Sequence, residues 1–159
     1  MRVSRAQWMP SLFLAATAAA APAAATSMND LPGRWSGWGS VTMTNGNSEQ
    51  VKCVATYFIN GGGSSVQQNL RCASTSYKID ATANLKVDKG QVSGEWQEKT
   101  YSATGEVAGR VTDDGLNLSI QGEHFAAAMA VTTSSCKQSI SITPRGFDVS
   151  KISVGLGKC

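Results

Sequence analysis

The stretch "YKIDATANLKV", Tyr77–Val87, decides the fold. Its odd positions, Tyr77, Ile79, Ala81, Ala83, Leu85 and Val87, are apolar. Its even positions, Lys78, Asp80, Thr82, Asn84 and Lys86, are polar. A strand turns successive side chains to opposite faces, so this alternation predicts one strand with one buried face.

The pattern spreads in both directions. Downstream, "VDKGQV" supplies a tight turn with Gly90 at positive φ. Strands "QVSGEWQEKTY", "EVAGRVT" and "LNLSIQG" follow, separated by "SATGE" and "TDDG". "HFAAAMAVTT" is rich in alanine, which favours helix, but it ends in Val-Thr-Thr and has no N-cap residue, so it reads as a strand. The last segment, "KQSISITPRGFDVSKISVGLGKC", reads as two strands around a Pro-Arg-Gly turn. No long helical pattern occurs. Turns at this spacing describe an antiparallel meander. A sheet of this size must hide its edges, and closure does so. The expected fold is all-β, an up-and-down meander closed into a barrel of about eight strands, with a two-sheet sandwich as the alternative.

The hairpin around "NGGGSS" fixes a register. With its centre between Gly62 and Gly63, Ile59 faces Val66, Tyr57 faces Gln68, Ala55 faces Leu70 and Cys53 faces Cys72. Cysteines directly opposite on neighbouring strands lie within disulfide reach. Cys136 and Cys159 flank the last hairpin in the same way. The expected disulfides are therefore Cys53–Cys72 and Cys136–Cys159, each worth roughly 3 kcal/mol in the chain-entropy model. Zinc is the rival use of four cysteines, but the chain has no C-x-x-C and a single histidine, so no metal or other cofactor is expected.

The first residues read differently. "MRVSRAQWMP" is positively charged, and "SLFLAATAAAAPAAA" is apolar and ends in small residues that fit an A-x-A rule at Ala23 and Ala25. The apolar run is about 15 residues, short of the roughly 20 a membrane span needs. Residues 1–25 are expected to be a secretory signal peptide and residues 26–159 one barrel domain, periplasmic or secreted, with no membrane span after cleavage. Paired cysteines agree with an oxidising compartment. Without Arg2 and Arg5 the charge is nearly balanced, and no basic run or face remains, so no nucleic-acid partner is expected.

Catalytic constellations are scarce. His124 is the single histidine, no G-x-S-x-G surrounds a serine, and "NGGGSS" lacks the lysine of a phosphate loop. Glu95, Glu98 and Glu106 are scattered among basic residues, and nothing picks out a pair. With the cysteines paired, no thiolate nucleophile remains. The sequence therefore predicts a chain that is not an enzyme. Small barrels can hold a ligand inside. Trp35, Tyr57, Tyr77 and Trp96 fall on the inward parity and are the candidate ligand-binding residues. Small inward residues such as Gly37, Gly39, Ala81, Ala83 and Gly94 leave volume beside them or let strands bend. In "GRWSGWG", Trp35 and Trp38 are three apart and face opposite sides. That puts Trp38 on the outer wall, where it and Phe58 are the candidate protein-binding residues.

Gly33 and Trp35 open the first strand of the meander, and a Gly-x-Trp there resembles the calycin barrels: lipocalins, avidin-like proteins and bacterial metalloprotease inhibitors of the Inh type. The resemblance implies a barrel with the tryptophan packed at its closed end. No match to avidin's biotin-binding residues and no inhibitor trunk is present. The segments "LPGRWSGWGSV" and "LRCAS" also look like small exported proteins of unassigned function from alphaproteobacteria. The expected function is non-catalytic binding of a small, partly apolar or aromatic molecule in the interior. The alternatives are a protein-binding module of the envelope, such as an inhibitor of an exported hydrolase, and a structural envelope protein.

Overall fold

The computed structural model describes residues 28–159, and residues 1–25, read as a signal peptide, lie outside the described residues. Ten strands follow one another: β1 (Gly33–Met43), β2 (Ser48–Asn60), β3 (Ser65–Ala73), β4 (Lys78–Asp88), β5 (Gln91–Glu98), β6 (Ala103–Val111), β7 (Gly115–Gly122), β8 (Ala126–Ser134), β9 (Lys137–Arg145) and β10 (Val149–Gly157). Each pairs antiparallel with its chain neighbours, and β1 closes on β10 to complete a barrel. The fold class is as expected, and the strand number is corrected from about eight to ten. Every turn signal between residues 43 and 149 joins two strands of the same sheet, so none is left over for a loop outside the barrel. Closure excludes the sandwich.

The alternating stretch forms β4 across Lys78–Asp88. The alanine-rich segment is strand β8, because Ala127, Met129, Val131 and Thr133 are buried on one side while the residues between them are exposed. In the β2–β3 hairpin, Ile59 pairs with Val66, Tyr57 with Gln68, Ala55 with Leu70 and Cys53 with Cys72, as the register argument required. Both expected disulfides are formed. Disulfides of this kind belong to oxidising compartments. Among the described residues, no helix is long and apolar enough to cross a membrane.

Strand β1 keeps its parity through its glycines. Gly37 and Gly39 lie flush against β10, where an added Cβ would strike the Gly155 and Ser153 carbonyls. The register shift comes later, between Thr42 and Met43. Trp35 therefore faces inward and is fully buried, and Trp38 is 60% exposed.

The two barrel ends differ. At one end the segment before β1 packs against the core through Leu31 and Met28. Inside it, Trp35, Tyr57, Val66, Val92, Leu116 and Leu156 are all buried, and Ile59, Val87 and Val111 are half-buried at the rim. At the opposite end the half-buried inward residues run two layers deep: Gln68 and Leu70 on β3, Ile79 and Ala81 on β4, Gly94 and Trp96 on β5, Ile120 and Gly122 on β7. Among the described residues this second, open end is bordered by short strand-to-strand turns, residues 44–47, 74–77, 99–102, 123–125 and 146–148.

Candidate functional site

The closed end is built around Trp35. Its indole N–H donates to the Leu31 carbonyl at 2.9 Å, which fastens the segment before β1 to the core. The Lys158 ammonium lies 4.6 Å from the Trp35 ring centre and donates to the carbonyls of Asp30 and Pro32. The Asp30 carboxylate accepts the Ser135 N–H at 3.2 Å. A cation over an indole face is attracted by the ring quadrupole, so the C-terminal strand holds the plug from outside. The Cys136–Cys159 disulfide anchors the segment that follows β10.

Above the plug lies a chain of neutral polar groups. The Gln68 amide donates to the Tyr57 hydroxyl at 2.9 Å, Tyr57 donates to the Gln138 carbonyl oxygen at 3.1 Å, and the Gln138 amide donates to Thr133 Oγ1 at 3.2 Å. The chain runs from β3 through β2 to β9 and β8. Burial pushes the Tyr57 phenol up to about 12, with the Gln68 and Gln138 bonds acting weakly against it. Buried polar groups persist only when paired, and this set satisfies Tyr57 completely.

The open end carries the aromatic rim. Trp96 lies across two glycines, Gly105 and Gly122, where an added Cβ would come within 2.7 Å and 3.3 Å of its ring. Its indole N–H donates to the Gln121 carbonyl at 3.1 Å. Phe125 meets it edge to face at 5.1 Å, and Phe147 follows at 5.0 Å. Across the opening, the Tyr77 hydroxyl lies 3.3 Å from Met43 Sδ. The structure thus divides the four sequence-predicted ligand residues, with Trp35 and Tyr57 at the closed end and Tyr77 and Trp96 at the open end. Phe125 and Phe147 complete the rim, and neither was among the four residues expected to bind ligand. They belong to turns, and only the barrel brings β5, the β7–β8 turn and the β9–β10 turn together. A phenylalanine in an otherwise polar turn, "PRGFD", was the available signal.

Two carboxylates face inward at this rim, and both are occupied. Burial raises the Glu98 carboxyl, but the N–H groups of Asp80, Tyr101 and Thr100 outweigh it and hold the group below its ordinary value. The Asp80 and Tyr101 bonds are 2.8 Å and 2.6 Å. Glu49 is held low by the Ser74 hydroxyl and the Ser76 N–H, the latter at 2.8 Å. Each therefore pins a loop of the mouth. His124 is almost wholly in solvent beside Glu123, at 3.8 Å. Among the described residues no His/Cys/Asp/Glu cluster could hold a metal ion and no cysteine is free.

The exposed large apolar residues are Trp38 and Phe58 on the outer wall, and Tyr101 and Phe147 in turns of the open end. Trp38 has the Lys52 ammonium 5.7 Å from its ring centre. Trp38 pairs with Lys52, so Phe58 stands six residues further along β2, roughly 20 Å at the strand rise. The two do not form one patch. Shallow concavities also lie outside, one across β6–β9 among Ala108, Ser119, Ala128, Ala130 and Ser141, the other beside Thr132, Ser139 and Gly155.

The chain matches no family model and no curated protein sequence. In structure it is similar to the S-type phycobiliprotein lyase CPES from Guillardia theta, with a TM-score of 0.60 and 10% sequence identity over 83% of this chain and 90% of that one. At that identity the likeness is one of fold, and it agrees with the calycin-like barrel expected from Gly33 and Trp35. The likeness to alphaproteobacterial exported proteins gains no support from these comparisons. One expectation is corrected. The sequence predicted a chain that is not an enzyme, yet a protein bearing this fold is a lyase. The missing motifs were those of familiar hydrolase and phosphate sites, which are not the whole of enzyme chemistry. The architecture therefore gives no ground for excluding catalysis.

Proposed function

We propose that the barrel binds a small, partly apolar molecule in its open end, with Tyr77 and Trp96 as walls and Trp35 and Tyr57 as the base beneath. The carrying observation is the two-layer band of half-buried inward residues at that end, set against a closed end sealed by Leu31 and Trp35. Ten strands support the reading, because barrel diameter grows with strand number and about eight already fill their interior with side chains. Fold likeness to a phycobiliprotein lyase is in keeping with a barrel that handles a ligand. We read the protein as exported, from the leader-like residues 1–25 together with the two disulfides. The test is a fluorescence titration with a panel of lipids, haem and aromatic compounds. A ligand-induced change in emission should persist in Trp38→Phe and be largely lost in Trp96→Phe. A wild-type protein that responds to no member of the panel would overturn the proposal.

A second reading, a protein-binding module of the envelope, is supported by the exposure of Trp38 at 60% and Phe58 at 48%. Exposed aromatic rings are typical binding anchors. Their separation implies two distinct contacts. Under this reading Trp38→Ser and Phe58→Ser each weaken capture of an envelope partner in cross-linking while the fold is unchanged. Unaltered cross-linking in both variants counts against it.

A further inference from the structure

Resting on the open end as a binding site, we infer that its ligand is not an anion and carries a hydroxyl that lands on Gln68. The two inward carboxylates at the rim, Glu49 and Glu98, accept backbone N–H groups and keep their charge, so the rim is negative. Arg71 pairs with Asp80 at 3.6 Å on the outer face, and Glu123 and His124 project into solvent. The walls themselves are Leu70, Ile79, Ile120, Ile142 and Trp96. Nothing on them would neutralise an anionic ligand, and an unpaired ion is expensive to bury.

Gln68 is the polar group within this apolar cup that retains bonding capacity. Its side chain is half-buried, while Val66, the next inward residue toward the closed end, is 1% exposed. Its accessible side therefore faces the mouth. The amide makes one hydrogen bond, to Tyr57, and its other end has no partner among the described residues. Behind it Tyr57, Gln138 and Thr133 fix its position. A hydroxyl both donates and accepts, so it pairs with whichever end of the amide faces it. The class that fits is an alcohol or phenol with an apolar body, inserted hydroxyl first.

Naphthol, naphthalene and naphthoate make a matched series, and calorimetric titration of the disulfide-intact protein ranks them. Naphthol should bind about fivefold tighter than naphthalene, the worth of one neutral hydrogen bond. Naphthoate should be weaker than naphthol by more than roughly tenfold. Gln68→Leu should bring naphthol and naphthalene to equal affinity and keep naphthalene binding. Gln68→Met is a second variant, and the wild-type series stands without either. If none of the three binds, this inference falls, and the binding reading stands or falls by the wider panel. Naphthoate binding as tightly as naphthol would leave the binding reading standing and overturn the exclusion of anions. Equal affinity of naphthol and naphthalene for the wild-type protein would overturn the role of Gln68.

Discussion

Tyr57 shows how one side chain can serve the fold and leave a measurable trace. Its phenol is pushed up to about 12 by burial, from an ordinary 10.0. The sign follows from which form is protonated. Its stabilising contribution is whole below pH 10, where the unfolded phenol titrates, and is lost as pH rises toward 12. Wild-type urea midpoints should fall steeply over that window, and those of Tyr57→Phe should fall less. At neutral pH the same substitution should cost about 1–3 kcal/mol, because it strips the Gln68 and Gln138 amides of a shared partner. A variant as stable as wild type would mean the polar chain contributes nothing. Trp35 and Trp38 make a contrasting pair. Strand parity alone separated them, and Trp35→Ala should cost about 3–5 kcal/mol in chemical denaturation while Trp38→Ser stays within about 0.5 kcal/mol. Parity could not show that Lys158 lies over Trp35, since that contact joins residues at opposite ends of the chain.

Among the strands, β6 approaches β7 closely enough to be sensitive to a single methyl group. Gly105 pairs with Gly122, and a Cβ on Gly105 would meet the Gln121 carbonyl and the Trp96 indole. Gly105→Ala should therefore destabilise by about 1–3 kcal/mol and shift the Trp96 emission. Gly155 on β10 has nothing within 4 Å of an added Cβ, so Gly155→Ala should be neutral within about 0.5 kcal/mol. Equal costs at the two sites would show that the clash at Gly105 is relieved by strand movement. The strands and their registers were legible because alternation and tight turns are local, and the β2–β3 hairpin could be paired residue by residue from its centre. The aromatic rim was not. Trp96, Phe125 and Phe147 come from three separate parts of the chain and meet only once the sheet has curled. The strand number was underestimated for a related reason, since no local pattern reports how many strands a closed sheet will take.

On the scale of the whole barrel, the two ends have different jobs. The closed end carries one of the two disulfides, Cys136–Cys159, together with Lys158 on the Asp30 and Pro32 carbonyls and Asp30 on Ser135. Replacing Cys136 and Cys159 together by alanine should lower stability by about 2–5 kcal/mol in urea, with the loss felt first at Trp35. Retention of wild-type stability would assign the fastening to Lys158 and the packing of Leu31. The contact between Lys158 and residues 30–32 also has a topological consequence. Strand order round the barrel follows chain order without interruption, and the first and last strands are neighbours. The connectivity is thus a ring cut at one point, and the cut could be moved. A circular permutant with a short linker joining residue 159 to residue 28 and new termini in the Gly61–Gly63 turn should melt as one cooperative unit.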